Sequence, residues 1–251
     1  MGNVGFFLGG LVALRGMVIK RSCSYGKITS PSVAVGRLSK PDYIAARVLC
    51  LTEMTSLTGQ LDNGSVAADL EKVFFFLEKH GLSSTTRDHP PMFTVADSQA
   101  LRPSGLSGGY TKNLFLRNKK GTMWLVTCDE NQSVDLRHLG TALGAGRLSF
   151  ASPERLMRFL GITTGAVSPL ALINDVTHTV YFAIDQSLLR HDQLHVHPLV
   201  NTLTTTLPTI GLVEFAMKTG HPPVYLEFNH DGSVTVDRFN NKMPDGRLKV
   251  T

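Results

Sequence analysis

Two apolar-rich runs, residues 113–117 and 122–128, are separated only by Asn118-Lys119-Lys120-Gly121. A connection that short joins antiparallel strands, because a parallel crossover needs a dozen or more residues. The middle of the chain is therefore a β-hairpin, and a strictly alternating, all-parallel sheet is excluded. Helical patterns lie on both sides of it. Val66, Leu70, Val73, Phe74 and Leu77 form one stripe at helical spacing, predicting a helix capped by Ser65 and stopped at Gly81. Thr94-Val95-Ala96-Asp97 has capping-box spacing and predicts a short helix to about Leu101. His89-Pro90-Pro91 before it is held extended by its two prolines. Further helices are expected over 135–143, 152–159 and 208–218, and strands over 178–184 and 224–228. His230-Asp231-Gly232 predicts a tight turn and a closing C-terminal hairpin. No internal repeat is present, and the irregular interleaving indicates a mixed α/β fold.

The 251 residues can form one large domain or two small ones. A net charge of +5 suggests a nucleic-acid surface until it is divided along the chain. Residues 1–41 hold Arg15, Lys20, Arg21, Lys27, Arg37 and Lys40 and no acid; the remainder has 19 basic against 20 acidic residues. The cationic character belongs to the tail. Its apolar start falls short of the ~20 residues of a bilayer span. It also has no preceding positive charge, as a secretory signal requires, and Phe6 stands where myristoylation needs Ser or Thr. A mitochondrial-type leader, or an extension with no address, is what remains. Three scattered cysteines fit a reducing, mitochondrial or cytoplasmic compartment, and no membrane partner is expected.

Several chemistries lack their motifs: the phosphate-cradling loop, the dinucleotide Gly-x-Gly-x-x-Gly and the Gly-x-Ser-x-Gly elbow. Cys128 ends an apolar strand and is expected to be a core thiol. His191, His195 and His197 invite a zinc reading, since the last two would share one face if their segment is a strand. A third, converging ligand is not marked, so neither metal nor organic cofactor is expected.

Three segments carry a resemblance to a known family. They are Ser107-Gly108-Gly109-Tyr110-Thr111-Lys112-Asn113-Leu114-Phe115-Leu116, Gly165-Ala166-Val167-Ser168-Pro169, and His197-Pro198-Leu199-Val200-Asn201. Asp88-His89-Pro90-Pro91-Met92-Phe93-Thr94 and Phe215-Ala216-Met217-Lys218-Thr219-Gly220-His221-Pro222 follow in the same order. Together they resemble the prolyl-tRNA editing-domain superfamily, that is, the editing insertion of bacterial prolyl-tRNA synthetases and its free-standing relatives. The resemblance implies a mixed α/β fold with a largely antiparallel sheet and surrounding helices. It also implies an editing domain over 61–228, with 1–60 as an N-terminal extension and 229–251 as a C-terminal one.

The resemblance further implies a deacylase that hydrolyses mischarged tRNA for proline in trans. Alanyl-tRNA is the first expectation; the cysteinyl ester, another aminoacyl ester, or an inactive synthetase-associated module are the alternatives. An aminoacyl ester is already activated, so such a site needs positioning and oxyanion stabilisation more than a strong nucleophile. Lys112 is expected to contact the terminal phosphate or the reacting carbonyl. Asn113 would bond the α-amino group or the ribose, and His197 would orient water, ribose or amino acid. Gly165, Ala166, Val167, Ser168 and Pro169 would form the pocket loop, and Asn201 would support His197 or the adjacent loop. Arg117, Lys119 and Lys120, at the hairpin tip, are weaker candidates for tRNA phosphates. The implied partners are the acceptor end of tRNA for proline and prolyl-tRNA synthetase or a synthetase complex.

Overall fold

The computed structural model describes residues 61–237. The expected leader, and the chain beyond Asp237, lie outside the described residues. Nine strands form one sheet: β1 (Thr85–Asp88), β2 (Gly109–Asn118), β3 (Met123–Asp129), β4 (Leu148–Phe150), β5 (Val180–Asp185), β6 (Gln193–Val196), β7 (Leu203–Pro208), β8 (Val224–Phe228) and β9 (Val234–Val236). Their order is β1-β7-β6-β2-β3-β5-β8-β9, with β4 also paired to β2. The pairs β1·β7, β2·β3, β2·β4, β6·β7 and β8·β9 are antiparallel; β2·β6, β3·β5 and β5·β8 are parallel. This is the mixed, largely antiparallel sheet expected.

Among the described residues five α-helices flank it: α1 (Leu70–Lys79), α2 (Val95–Ala100), α3 (Leu136–Ala142), α4 (Pro153–Leu160) and α5 (Thr209–Lys218). Strand β3 shows how the sheet is covered. Met123 and Leu125 join one core with Val73, Leu77, Leu160 and Phe215, from α1, α4 and α5. Trp124 and Val126 point the other way, into a second core with Leu139 and Leu143 at α3. Alternate side chains of a strand face opposite sides, so β3 is apolar at every one of these positions because both its faces are buried. Burial of each such side chain is worth about 1.5–3 kcal/mol. No helix among the described residues is long and apolar enough to cross a membrane.

The central hairpin forms as expected, and β2 begins earlier, at Gly109. The capping box of α2 is complete, and Ser152 caps α4 ahead of its proline. The cap of α1 differs. The helix starts at Leu70, where Asp69 Oδ1 accepts from Lys72 N at 2.9 Å. Ser65 instead bonds Asn63 in the preceding turn, and Val66 is 76% exposed. The apolar stripe ran one turn past the helix because Val66 matches its period without reaching the core. Gly81 holds a φ of +68 just after the helix, the left-handed stop expected there.

Strands β1, β4 and β7 were not expected. All four β1 residues are exposed, β4 has only three residues, and β7 is threonine-rich rather than alternating. Each is defined by its partner strand rather than by its own pattern.

Candidate functional site

A cavity of about 280 Å³ opens where β2, β6 and the loop before α2 meet. Lys112, Asn113, Gly165, Val167 and His197 all line it, although they come from three separate stretches of chain. Ala166 and Ser168 do not line it. Ala166 packs into the core, and the buried Ser168 caps the 3-10 turn Pro169–Asn174 by accepting from Leu170 N at 3.2 Å. Pro169 is the first residue of that buried turn. The loop thus gives two residues to the cavity wall and anchors the rest.

Close approach of backbones explains the glycines. Gly165 has φ +89, and a Cβ there would sit 3.0 Å from Phe93 Cδ1 and 3.1 Å from Asn201 Nδ2. Gly108, at φ +125, passes His195 so closely that a Cβ would lie 2.7 Å from its Nε2. Only a residue without a side chain lets β2 begin beside β6 there.

Asn113 and Thr127 are cross-strand partners, and the Thr127 hydroxyl donates to Asn113 Oδ1 at 2.7 Å. The carbonyl half of this amide is therefore engaged, and the NH2 half is left to serve a ligand as donor. Asn201 does not support His197. Its amide donates to Met92 O at 3.2 Å, and Met92 N donates to Asn201 O at 3.0 Å. It braces the segment leading to Phe93, which stands 69% exposed on the cavity wall.

Three histidines line the cavity, and their hydrogen bonds separate them. In His89, Nδ1 lies 2.8 Å from Pro90 O and Nε2 lies 2.8 Å from Thr204 Oγ1. In His195, Nε2 lies 3.0 Å from Ser107 O and Nδ1 2.8 Å from Thr206 Oγ1. Both rings are saturated. His197 Nδ1 lies 2.8 Å from Leu203 O, and a carbonyl can only accept, so Nδ1 carries the proton. Its Nε2 has no partner among the described residues and keeps a free lone pair. Burial holds the His197 pKa below the usual value, the bond to Leu203 O opposes this, and nearby His89 adds to the lowering. The ring is neutral near pH 7, as a proton acceptor must be.

The zinc grouping is not assembled. Both nitrogens of His195 are occupied, and the described residues contain no group of three His, Cys, Asp or Glu placed to hold a metal. Cys128 is fully buried with its thiol on Lys112 O, and burial pushes its pKa up to about 12. Lys119 and Lys120 lie in the turn beyond β2, at the opposite end of that strand from Lys112. At about 3.4 Å per residue, Arg117 is roughly 17 Å from Lys112.

The sequence did not single out Arg102, Tyr110 and Glu130. Arg102 Nη2 bonds Glu130 Oε1 at 2.6 Å, and its Cζ lies 3.4 Å over the Tyr110 ring. No local motif marks them, since they meet only once α2, β2 and the end of β3 are in place.

Comparison with known proteins agrees with this layout. The aminoacyl-tRNA editing domain pattern matches residues 89–215, which contain every cavity residue discussed except Arg87 and Asp88. The chain is 34% identical over 182 residues to the zebrafish (Danio rerio) prolyl-tRNA synthetase associated domain-containing protein 1, covering 71% of this chain and 98% of that one. It is 34% identical over 146 residues to the prolyl-tRNA editing protein ProX of Acetoanaerobium sticklandii, covering 58% and 88%. A solved structure of a candidate trans-editing enzyme for prolyl tRNA synthetase shares the fold, with TM-score 0.50 and 20% identity over 64% of this chain and 98% of that one. A pattern that spans α2, the Lys112 strand and the His197 loop, together with full-length relatives, places this chain in the aminoacyl-tRNA editing domain family, among its prolyl-tRNA editing members.

Proposed function

We propose that the protein is a trans-editing deacylase that hydrolyses mischarged tRNA for proline, with the alanyl ester as its preferred substrate. The observation that carries this reading is the convergence of Lys112, Asn113 and His197, the last with one bare ring nitrogen, on a single small cavity. Family membership supports the deacylase class, and the small cavity walled by Gly165, Val167 and Phe93 supports a small acyl group.

In the proposed reaction, a water attacks the ester carbonyl while His197 Nε2 takes its proton. The negative charge passes to the carbonyl oxygen, where the Asn113 amide and the Lys112 ammonium can stabilise it. Collapse breaks the bond to the ribose oxygen, which receives the proton held by His197. Free amino acid and intact tRNA result. Selection against proline follows double-sieve logic. The synthetase discriminates poorly against the smaller alanine, because each missing methylene is worth only about 1–3 kcal/mol, whereas a tight second site excludes the larger ring.

The test is release of labelled amino acid from alanyl-, cysteinyl- and prolyl-tRNA for proline by the full chain. Alanine is expected to leave far faster than proline. Lys112→Ala is expected to slow its release about 10²-fold or more, the effect of removing one oxyanion donor. Equal release of alanine and proline overturns the size-exclusion reading.

A further inference from the structure

One wall of the cavity layers three flat groups, His195, Tyr110 and Arg102. His195 is fixed at both ring nitrogens, by Thr206 and Ser107. Tyr110 lies on it, with centroids 4.4 Å apart and planes 35° from parallel. Arg102 lies on Tyr110, its Cζ 3.4 Å from the ring centroid. Glu130, only 5% exposed, grips the guanidinium from the side at 2.6 Å. All four residues line the cavity, and the Arg102 side chain remains 29% exposed. Two polar atoms in this wall, Arg102 Nε and Tyr110 Oη, are buried without a hydrogen-bond partner among the described residues. Leaving such groups unpaired is costly, so a ligand able to pair them would gain affinity at this wall.

Charge decides which part of a nucleotide fits. Glu130 offsets the charge of Arg102, so this corner is a poor phosphate clamp beside Lys112 and Arg87, which also line the cavity. What Arg102 retains is a flat, weakly hydrated face of the kind on which nucleobases stack. Leu101, Pro103 and Leu106 supply an apolar frame around it. We infer that the His195–Tyr110–Arg102 stack is a nucleobase platform that takes the terminal purine of the tRNA 3′ end, with Arg102 Nε and Tyr110 Oη meeting polar atoms of the nucleoside. This rests on the reading that the tRNA end enters the cavity, and it assigns that end to the wall away from His197.

The test compares binding of the full chain to two labelled trinucleotides, CCA and the same sequence with an abasic 3′ residue. Wild type is expected to prefer CCA by about tenfold, within the range of one stacked base. Arg102→Lys keeps the charge next to Glu130 and removes the plane, and it should bring the preference close to one. Arg102→Met with Glu130→Gln removes the buried pair together and should do the same, with abasic binding within about twofold of wild type. Equal binding of both trinucleotides by wild type overturns the platform, as does a tenfold preference retained in both variants. Deacylation of alanyl-tRNA for proline, measured alongside, separates the two claims. A base preference lost in the variants but no deacylation sustains the platform and rejects the activity. Deacylation without a base preference rejects the platform alone.

Discussion

At the scale of single residues, chemistry is assigned by which atoms are already spoken for. His89, His195 and His197 look alike in the sequence, and two of them look equally able to share a strand face. Only His197 keeps a lone pair, because Leu203 O fixes its tautomer and nothing among the described residues takes Nε2. The same logic engages the Asn113 carbonyl with the Thr127 hydroxyl and removes Cys128 from contention, since a fully buried thiol with pKa about 12 is not a nucleophile near neutral pH. In the proposed reaction the state of His197 sets the pH dependence. A base whose pKa is lowered by burial stays unprotonated below the usual histidine value of 6.5. The acid limb of kcat/KM for deacylation is therefore expected to lie below pH 6.5, with a plateau above it. An acid limb above 6.5 would assign the base role to a different group.

At the scale of elements, the site depends on backbones that come close together. The α2 capping box and Asp97, whose carboxylate accepts from Phe93 N and Thr94 N at 2.9 Å, fix the turn that presents Phe93. Those two backbone bonds, with a third from the Thr94 side chain, hold the Asp97 pKa below the carboxylate range. Across the cavity, Gly165 meets Phe93 and Asn201. Gly165→Ala places a methyl against both in a left-handed conformation. It is expected to cost more than about 1 kcal/mol in stability and to reduce alanine release by crowding the acyl group, as thermal melts and single-turnover rates would show. The sequence made the central hairpin, α2 and α4 legible because their signals are local: a short turn, a capping box, a Ser-Pro start. It carried no sign of β1, β4 or β7, whose residues show no alternation and are strands only because a partner pairs with them. The cavity was legible as three motifs sharing one resemblance. The Arg102–Glu130 pair was not, because nothing in residues 102 and 130 themselves indicates that they touch.

At the scale of the whole molecule, residues 61–237 hold 14 basic against 17 acidic residues, so the region around the cavity carries no net positive charge. Binding of a polyanion such as tRNA must then rely on a few local contacts. In the proposed complex the hairpin tip, which begins at Arg117 roughly 17 Å from Lys112 along β2, would meet acceptor-stem phosphates with the 3′ end in the cavity. Lys119→Ala with Lys120→Ala is expected to raise KM for aminoacyl-tRNA and leave single-turnover chemistry unchanged. For every duplex phosphate that these lysines no longer neutralise, the slope of log affinity against log salt should become shallower by about 0.9. An unchanged slope would remove the tip from the interface. The proposed hydrolysis turns on a neutral imidazole acting at a small-acyl cavity, and single-turnover release of alanine from alanyl-tRNA for proline by His197→Ala probes that step. A rate reduced about 10²-fold or more at saturating enzyme, with tRNA affinity retained, is the expected outcome. A rate equal to wild type would mean that the hydrolytic proton goes elsewhere.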